Sequence, residues 1–372
     1  MSSYQKFLRN IACFTSIYFL AIIIFCFVTD PYEIWKFYSR QGFNLYSNKG
    51  ENIERLTKPL NFIFHQAPQT IIFGSSRADY SLDPNSWKML TGRETYNFAV
   101  TSGTLYEMRR YFEHALENDE RLEEIIICVD FYTFVDNETH QAKSTMAGYD
   151  DEQIGKKIPT LTNLQKTLFS WESLKDGVTN SLDNMRNKYD FPCHDLNGKF
   201  SEGYIAQKYK DNSDEKFLNI LRQWQRSLDF SSAYLNEESF QEFQRVINLC
   251  RAQNIKLSVC ILPLYPLHYE AFNDCWSVYE SWKVKLVSMT PVVDFTCFDS
   301  DIAERENFWD TSHAKKIIGD RVLFALADEI RNENFGEILT IENIKAHNEK
   351  IRRDRKNWRC EHWQEIENIL EK

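Results

Sequence analysis

Apolar residues fall along this chain first as one unbroken run and then as short runs alternating with helix-spaced stripes. The run, "IACFTSIYFLAIIIFCFV" from Ile11 to Val28, is uncharged. It has the roughly 17 to 25 residues that a helix needs to cross a bilayer, and predicts a membrane span. Downstream, "TIIFG" (Thr70 to Gly74), "YNFAV" (Tyr96 to Val100) and "EEIIICVDF" (Glu123 to Phe131) are continuously apolar rather than alternating. Such runs predict strands covered on both faces, as in parallel sheets. Between the second and third, Leu105, Met108, Tyr111, Phe112 and Ala115 recur at helical spacing. A further helix, "SFQEFQRVINLCRAQN", leads into the strand "KLSVCILPL" (Lys256 to Leu264). "YESWKVKLVSM" then precedes the short strand "PVVDF" (Pro291 to Phe295), and "AKKIIGDRVLFALADEI" closes the unit as a helix. This alternation predicts an α/β fold with a three-layer, doubly wound, flavodoxin-like and mainly parallel sheet.

Residues from about 140 to 236 break the rhythm with polar and aromatic sequence and scattered helical signals. They predict a large insertion above the sheet, a lid or a partner surface, because long connections in compact domains are usually functional or mobile. The chain therefore divides into a cytoplasmic tip and transmembrane anchor (1–30), an α/β domain (31–336) and a charged C-terminal helix (337–372). That helix carries Ile344, Ile351, Trp358, Ile366 and Ile369, and its Lys/Arg cluster from Arg352 to Arg359 reads as a solvated face.

Charge adds orientation. Lys6 and Arg9 precede the apolar run while Asp30 and Glu33 follow it, which puts the N-terminus in the cytoplasm and the rest of the chain outside. Thr29-Asp30-Pro31-Tyr32 lacks a small-residue cleavage pattern, so the run reads as an uncleaved anchor. A net charge of -10 over 372 residues argues against nucleic acid as the partner, since that affinity rests on clustered Lys and Arg. Of nine cysteines, Cys13 and Cys26 lie in the span, and the other seven show no C-x-x-C spacing, so no zinc site is expected. Cys128 and Cys260 sit inside apolar strands, where a free thiol behaves as a small hydrophobe.

The candidate chemistry lies where the predicted strands end. In an open parallel sheet, ligands gather outside the carboxyl ends of the strands. Gly74-Ser75-Ser76 falls there, in a turn that can present a serine hydroxyl and backbone N–H groups to a developing oxyanion. A second such loop, "AVTSGTLYE", brings Gly103, whose N–H is a second candidate oxyanion donor. Far downstream, "NFWDTSHAKKIIGD" sets Asp310 and His313 three apart at a helix start, close enough for the carboxylate to fix an imidazole that takes a proton from serine. Gly-Ser-Ser also suits a phosphate-holding turn, but the chain has neither a Walker lysine nor a G-x-G-x-x-G pattern there. Arg77 and His268, the latter in "LPLYPLHYE", are candidates for lining a substrate pocket.

The order Ser76, Asp310, His313 on this pattern resembles the SGNH (GDSL-like) hydrolase superfamily. Gly74-Ser75-Ser76 looks like its first block with Ser76 as nucleophile, Gly103 in "NFAVTSG" like the second, and Asp310-Thr311-Ser312-His313 like the last. The resemblance covers roughly residues 68–136 and 254–329. It implies a Ser-His-Asp site needing no metal and no cofactor. The third block normally gives an asparagine to the oxyanion hole, and its positional match here is Asp130 in "CVDFYTF". An ionised carboxylate beside an oxyanion opposes catalysis, so Asp130 is neutral, turned away, or the mark of a site whose activity is altered or absent. The first block also has Ser75 where aspartate is common.

Within the superfamily the chain is similar to membrane-anchored, exported members that serve teichoic-acid D-alanylation and alginate O-acetylation. The resemblance implies an extracytoplasmic serine esterase or O-acyltransferase, single-pass in a bacterial inner membrane. Its partners would be an acylated envelope glycan or acyl donor and a multispanning membrane acyltransferase. The alternative is a catalytically silent scaffold that binds a glycan or that acyltransferase.

Overall fold

A computed structural model describes residues 3–36, 38–47, 53–65, 67–136, 153–188, 190–211, 213–227, 232–298, 300–327 and 335–370. Helix α1 (Ser3–Thr29) is long and apolar enough to cross a membrane, with a mean hydropathy of 2.6 over its most apolar stretch, only 6% of which is buried. After α2 (Glu54–His65) the chain enters β1 (Thr70–Phe73), α3 (Ser76–Ser81), α4 (Pro84–Thr91), β2 (Thr95–Asn97), α5 (Leu105–Asn118) and β3 (Glu124–Cys128). The inserted region pairs β4 (Val135–Asp136) with β5 (Tyr234–Leu235) at its base, and carries α6 (Leu161–Leu168), α7 (Trp171–Met185), α8 (Glu202–Lys208) and α9 (Asp214–Ser227). Residues 137–152, where the insertion was expected to begin, lie outside the described residues. The chain then runs through α10 (Glu237–Gln253), β6 (Lys256–Ile261), α11 (Trp276–Met289), β7 (Val292–Asp294), α12 (Ser300–Ala303), α13 (Lys316–Ala327), β8 (Glu337–Leu339), α14 (Ile344–Glu361) and α15 (Trp363–Leu370).

The sheet order is β2-β1-β3-β6-β7-β8, parallel throughout except for the last pair. Alternate strand residues enter two separate apolar clusters. Ile71, Phe73, Ile125 and Ile127 pack with Phe98, Tyr111 and Phe112, while Ile72, Ile126 and Cys128 pack with Trp87, Leu262 and Val322. That division explains why the strands read as continuous apolar runs. β2 ends at Asn97, although the Phe98 and Val100 N–H groups still donate to the Ile72 and Gly74 carbonyls, and Asn97 turns its side chain to the backbone. Its amide donates to the carbonyls of Ala78 and Leu82 at 3.2 and 3.1 Å, and its oxygen accepts the Ala99 N–H at 3.0 Å. Cys128 and Cys260 face each other across β3 and β6 as thiols 3.4 Å apart.

The C-terminal segment begins as sheet rather than helix, since Glu337–Leu339 pairs antiparallel with β7. A three-residue edge strand is too short to leave a periodic signal. Helix α14 then buries Ile344, Ile351 and Trp358, spaced seven apart along one face, and α15 buries Ile366. Helix α13 presses directly on α3: a Cβ on Gly319 would lie 1.9 Å from the Ser81 carbonyl oxygen. This contact brings the turn before α13 over the start of α3.

Candidate active site

The turn after β1 is built by crowding. A Cβ at Gly74 would lie 2.7 Å from the Ala78 Cβ and 3.1 Å from that of Cys128, so only glycine lets the strand pass straight into α3. Ser75 is the N-cap, its hydroxyl accepting the Arg77 N–H at 3.2 Å. That is the service an aspartate gives at a helix start, which accounts for serine there. Ser76 follows as the first helical residue and is the one partly exposed residue between Thr70 and Leu82. Its backbone N–H belongs to the first turn, where no intrahelical acceptor exists.

The Ser76 hydroxyl lies 2.8 Å from Nε2 of His313, and Nδ1 of His313 lies 2.9 Å from both carboxylate oxygens of Asp310. Helix α13 starts at Lys316, so Asp310 and His313 occupy the turn before it rather than its first turn. Asp310 caps its own turn, with Oδ1 accepting the N–H groups of Ser312 at 2.8 Å and His313 at 2.9 Å. Burial works against its charge, but His313, Tyr209 and the Ser312 N–H outweigh it and hold the carboxyl down at about 2. An ionised Asp310 keeps the His313 proton on Nδ1 and leaves Nε2 free to accept from Ser76.

Two aromatic residues of the site were not foreseen. The Tyr209 hydroxyl, just past α8 in the insertion, donates to Oδ2 of Asp310 at 2.6 Å. The Tyr80 ring stacks on His313 at 4.7 Å between centroids. Tyr80 was legible in principle, one helical turn after Ser76, whereas nothing local to Tyr209 signals a partner 101 residues away.

The other expected site residues are placed differently. Asp130 is 2% exposed and pairs with the Arg77 guanidinium, which also donates to the carbonyls of Leu262 and Pro263. Turned to the Arg77 guanidinium in this way, Asp130 is not placed to act as an oxyanion donor. For the same reason Arg77, 7% exposed, is a buried strut between β3 and β6 and not a pocket-lining cation. The Gly103 N–H donates to the Val100 carbonyl at 2.9 Å, which occupies the second expected oxyanion donor. Gly103 does serve close approach, because a Cβ there would lie 2.7 Å from the Gly74 carbonyl oxygen. His268 is fully buried, with Nδ1 2.9 Å from the Thr311 hydroxyl. Burial, then the Arg77 charge, pushes its pKa down to about 3, so it braces the Asp310–His313 turn as a neutral ring.

A buried charged cluster lies beside α3. Glu54, Asp79 and His194 bring ligand-type atoms within 4.8 Å of one another, the one such group among the described residues. Lys58 reaches the same place, its ammonium 2.7 Å from Oδ2 of Asp79, and supplies positive charge there. Burial raises Glu54 to about 7, so its carboxyl is largely uncharged in mildly acidic solution. A cleft of about 600 Å³ lined by Asp30, Lys36, Tyr46, Asn85, His194 and Asn197 adjoins this cluster and contains none of the three triad residues. The chain matches no known protein family and no curated protein.

Proposed function

We propose that this chain is a membrane-anchored serine acyl-esterase or O-acyltransferase of the SGNH type, acting outside the cytoplasm on envelope or extracellular glycans. The observation that carries the reading is the continuous chain from the partly exposed Ser76 hydroxyl through His313 to Asp310, at 2.8 and 2.9 Å. The finer assignments belong to the same reading: a three-layer, doubly wound, flavodoxin-like sheet, α1 as a single-pass anchor in a bacterial inner membrane, and a multispanning acyltransferase as partner.

In the proposed mechanism Ser76 Oγ attacks the acyl carbonyl as His313 Nε2 takes its proton. The imidazolium, stabilised by Asp310, returns that proton to the departing alkoxide and leaves an acyl-Ser76 ester. Water or a sugar hydroxyl, deprotonated by His313, then releases the acyl group and regenerates Ser76. The Ser76 N–H is the oxyanion donor on hand. Loss of one donor from such a hole costs about 10²–10³ in rate, so with Gly103 bonded to Val100 the site is expected to be slow on simple esters.

The paired Asp130 and the occupied Gly103 N–H favour a second reading, a silent scaffold that binds a glycan or a membrane acyltransferase. Incubation of the purified chain with p-nitrophenyl acetate, followed by peptide mass spectrometry, separates the two. The enzyme reading expects one acetyl group on Ser76, released faster when an oligosaccharide acceptor is added. Acetylation confined to surface lysines and unchanged in Ser76→Ala supports the scaffold.

A further inference from the structure

Helices α6 and α7 form a hairpin whose tip, Phe169-Ser170, lies against α1 far below the point where α1 leaves the α/β domain. Helix α7 meets the last turns of α1 closely. A Cβ at Gly177 would lie 2.6 Å from the Thr29 hydroxyl, Cys26 donates its thiol to the Ser173 hydroxyl at 3.6 Å, and the Asn180 amide donates to the Thr29 carbonyl at 3.2 Å. The tip meets α1 much further back, where the Phe169 ring packs edge-on against Phe19 at 5.0 Å.

These contacts fix the depth of the tip. Ile24 on α1 is 52% exposed, so a bilayer that covers the apolar face of α1 reaches at least to Ile24. Phe19 lies five residues deeper, about 7.5 Å at the helical rise of about 1.5 Å per residue. The hairpin tip at Phe19 is then inside the same leaflet. Between Ser173 and Asn180 the helix α7 advances about 10 Å, while its contacts on α1 advance only from Cys26 to Thr29, about 4.5 Å. Helix α7 is therefore oblique to α1 and lies closer to the membrane plane.

Its side chains suit that position. Trp171, Val178, Leu182 and Met185 recur on one helical face and are 74, 46, 45 and 70% exposed. On the sides turned away from that stripe, Asp176 accepts the Tyr32 hydroxyl and Asn184 accepts the Leu45 N–H, both from the segment after α1. A helix with an apolar stripe, a polar face and an aromatic residue at its end is the composition of an interfacial membrane helix.

We propose that the α6–α7 hairpin is a membrane-embedded element whose tip and α7 stripe contact the acyl chains of the leaflet on the α/β-domain side. This rests on the reading that α1 crosses the bilayer and is independent of the chemistry at Ser76. The hairpin fixes the height and tilt of the domain above the lipid. From the end of α7 the same insertion continues to Tyr209, which touches Asp310, so one segment links the lipid contact to the triad.

The test uses the full chain in phosphatidylcholine vesicles with and without dibrominated acyl chains, which quench tryptophan on contact. The Trp171 signal is the difference between the wild type and Trp171→Phe. Trp363→Phe serves as control, since Trp363 is half exposed on α15, a helix that packs Ile366 into the α/β core. The expected result is that brominated lipid quenches the Trp171 signal by about half or more and leaves the Trp363 signal unchanged. A Trp171 signal unaffected by bromine, in chain that resists alkaline carbonate extraction, overturns the hairpin proposal while α1 stands as an anchor, and leaves the exposed stripe to a protein partner. Chain that carbonate strips from the vesicles overturns both.

Discussion

Asparagine at position 310 keeps the shape of the aspartate and removes its charge, and two separate losses are expected. The first is stability. In the folded chain the Asp310 carboxyl is held at about 2, against 3.8 in an unperturbed aspartate, and the residue is 3% exposed. At about 1.4 kcal/mol per unit, its charge-dependent interactions contribute about 2 kcal/mol at neutral pH. Because the folded value is the lower one, this contribution is complete above the unfolded value and is lost as pH falls through the folded value. Urea unfolding should therefore show a gap of about 2 kcal/mol between wild type and Asp310→Asn at pH 7, closing between about pH 4 and pH 2. The second loss is reactivity. Oδ1 accepts two backbone N–H groups, so the asparagine oxygen stays there and its NH₂ turns toward His313 Nδ1. The imidazole proton then moves to Nε2 and faces Ser76, where it blocks proton transfer. The corresponding change in unrelated Ser-His-Asp enzymes costs about 10⁴ in turnover, and a fall of about 10³–10⁴ in the rate of fluorophosphonate labelling is expected here. Labelling within about tenfold of wild type, or a stability gap independent of pH, refutes the assigned role.

Tyr209→Phe removes a hydrogen bond to a charged carboxylate and should cost about 1.5–3 kcal/mol in urea unfolding, with acid destabilisation setting in at higher pH because Asp310 loses a group that holds its pKa down. An unchanged acid limb contradicts this. Arg77→Met leaves Asp130 buried without its cation and should destabilise by about 3–5 kcal/mol, while Arg77→Met/Asp130→Leu should regain most of that loss. A double variant no more stable than the single one shows that the pair does not act as a buried ion pair.

The strands were legible because residues such as Ile71, Ile72, Ile125 and Ile126 are buried on both faces of a parallel sheet, and only a continuous apolar run satisfies that environment. The grouping of Ser76, His313 and Asp310 was legible because its parts are local: Gly74 and Ser75 shape one turn, and Asp310 holds His313 three residues away. What escaped the sequence depends on long-range pairing. A lone Asp130 after β3 looks like a damaged oxyanion residue until Arg77 is found to hold it, and a lone Gly103 looks like a free donor until Val100 is found to accept its N–H. Tyr209 lies in a stretch with no periodic signal, and its partner is set by how the insertion folds back over α3. The β8 strand was hidden by its length, and the α6–α7 hairpin by a pattern that makes sense only once α1 lies beside it.

The central claim, that His313 and Asp310 activate Ser76, is tested most directly by treating the full chain with a fluorophosphonate and reading intact mass and labelled peptide beside Ser76→Ala and His313→Ala. One adduct on the peptide containing Ser76, absent from both variants, is the expected result. A folded wild-type chain that takes up no label, or takes it up equally in His313→Ala, contradicts the claim and leaves the protein a scaffold with the geometry of a triad.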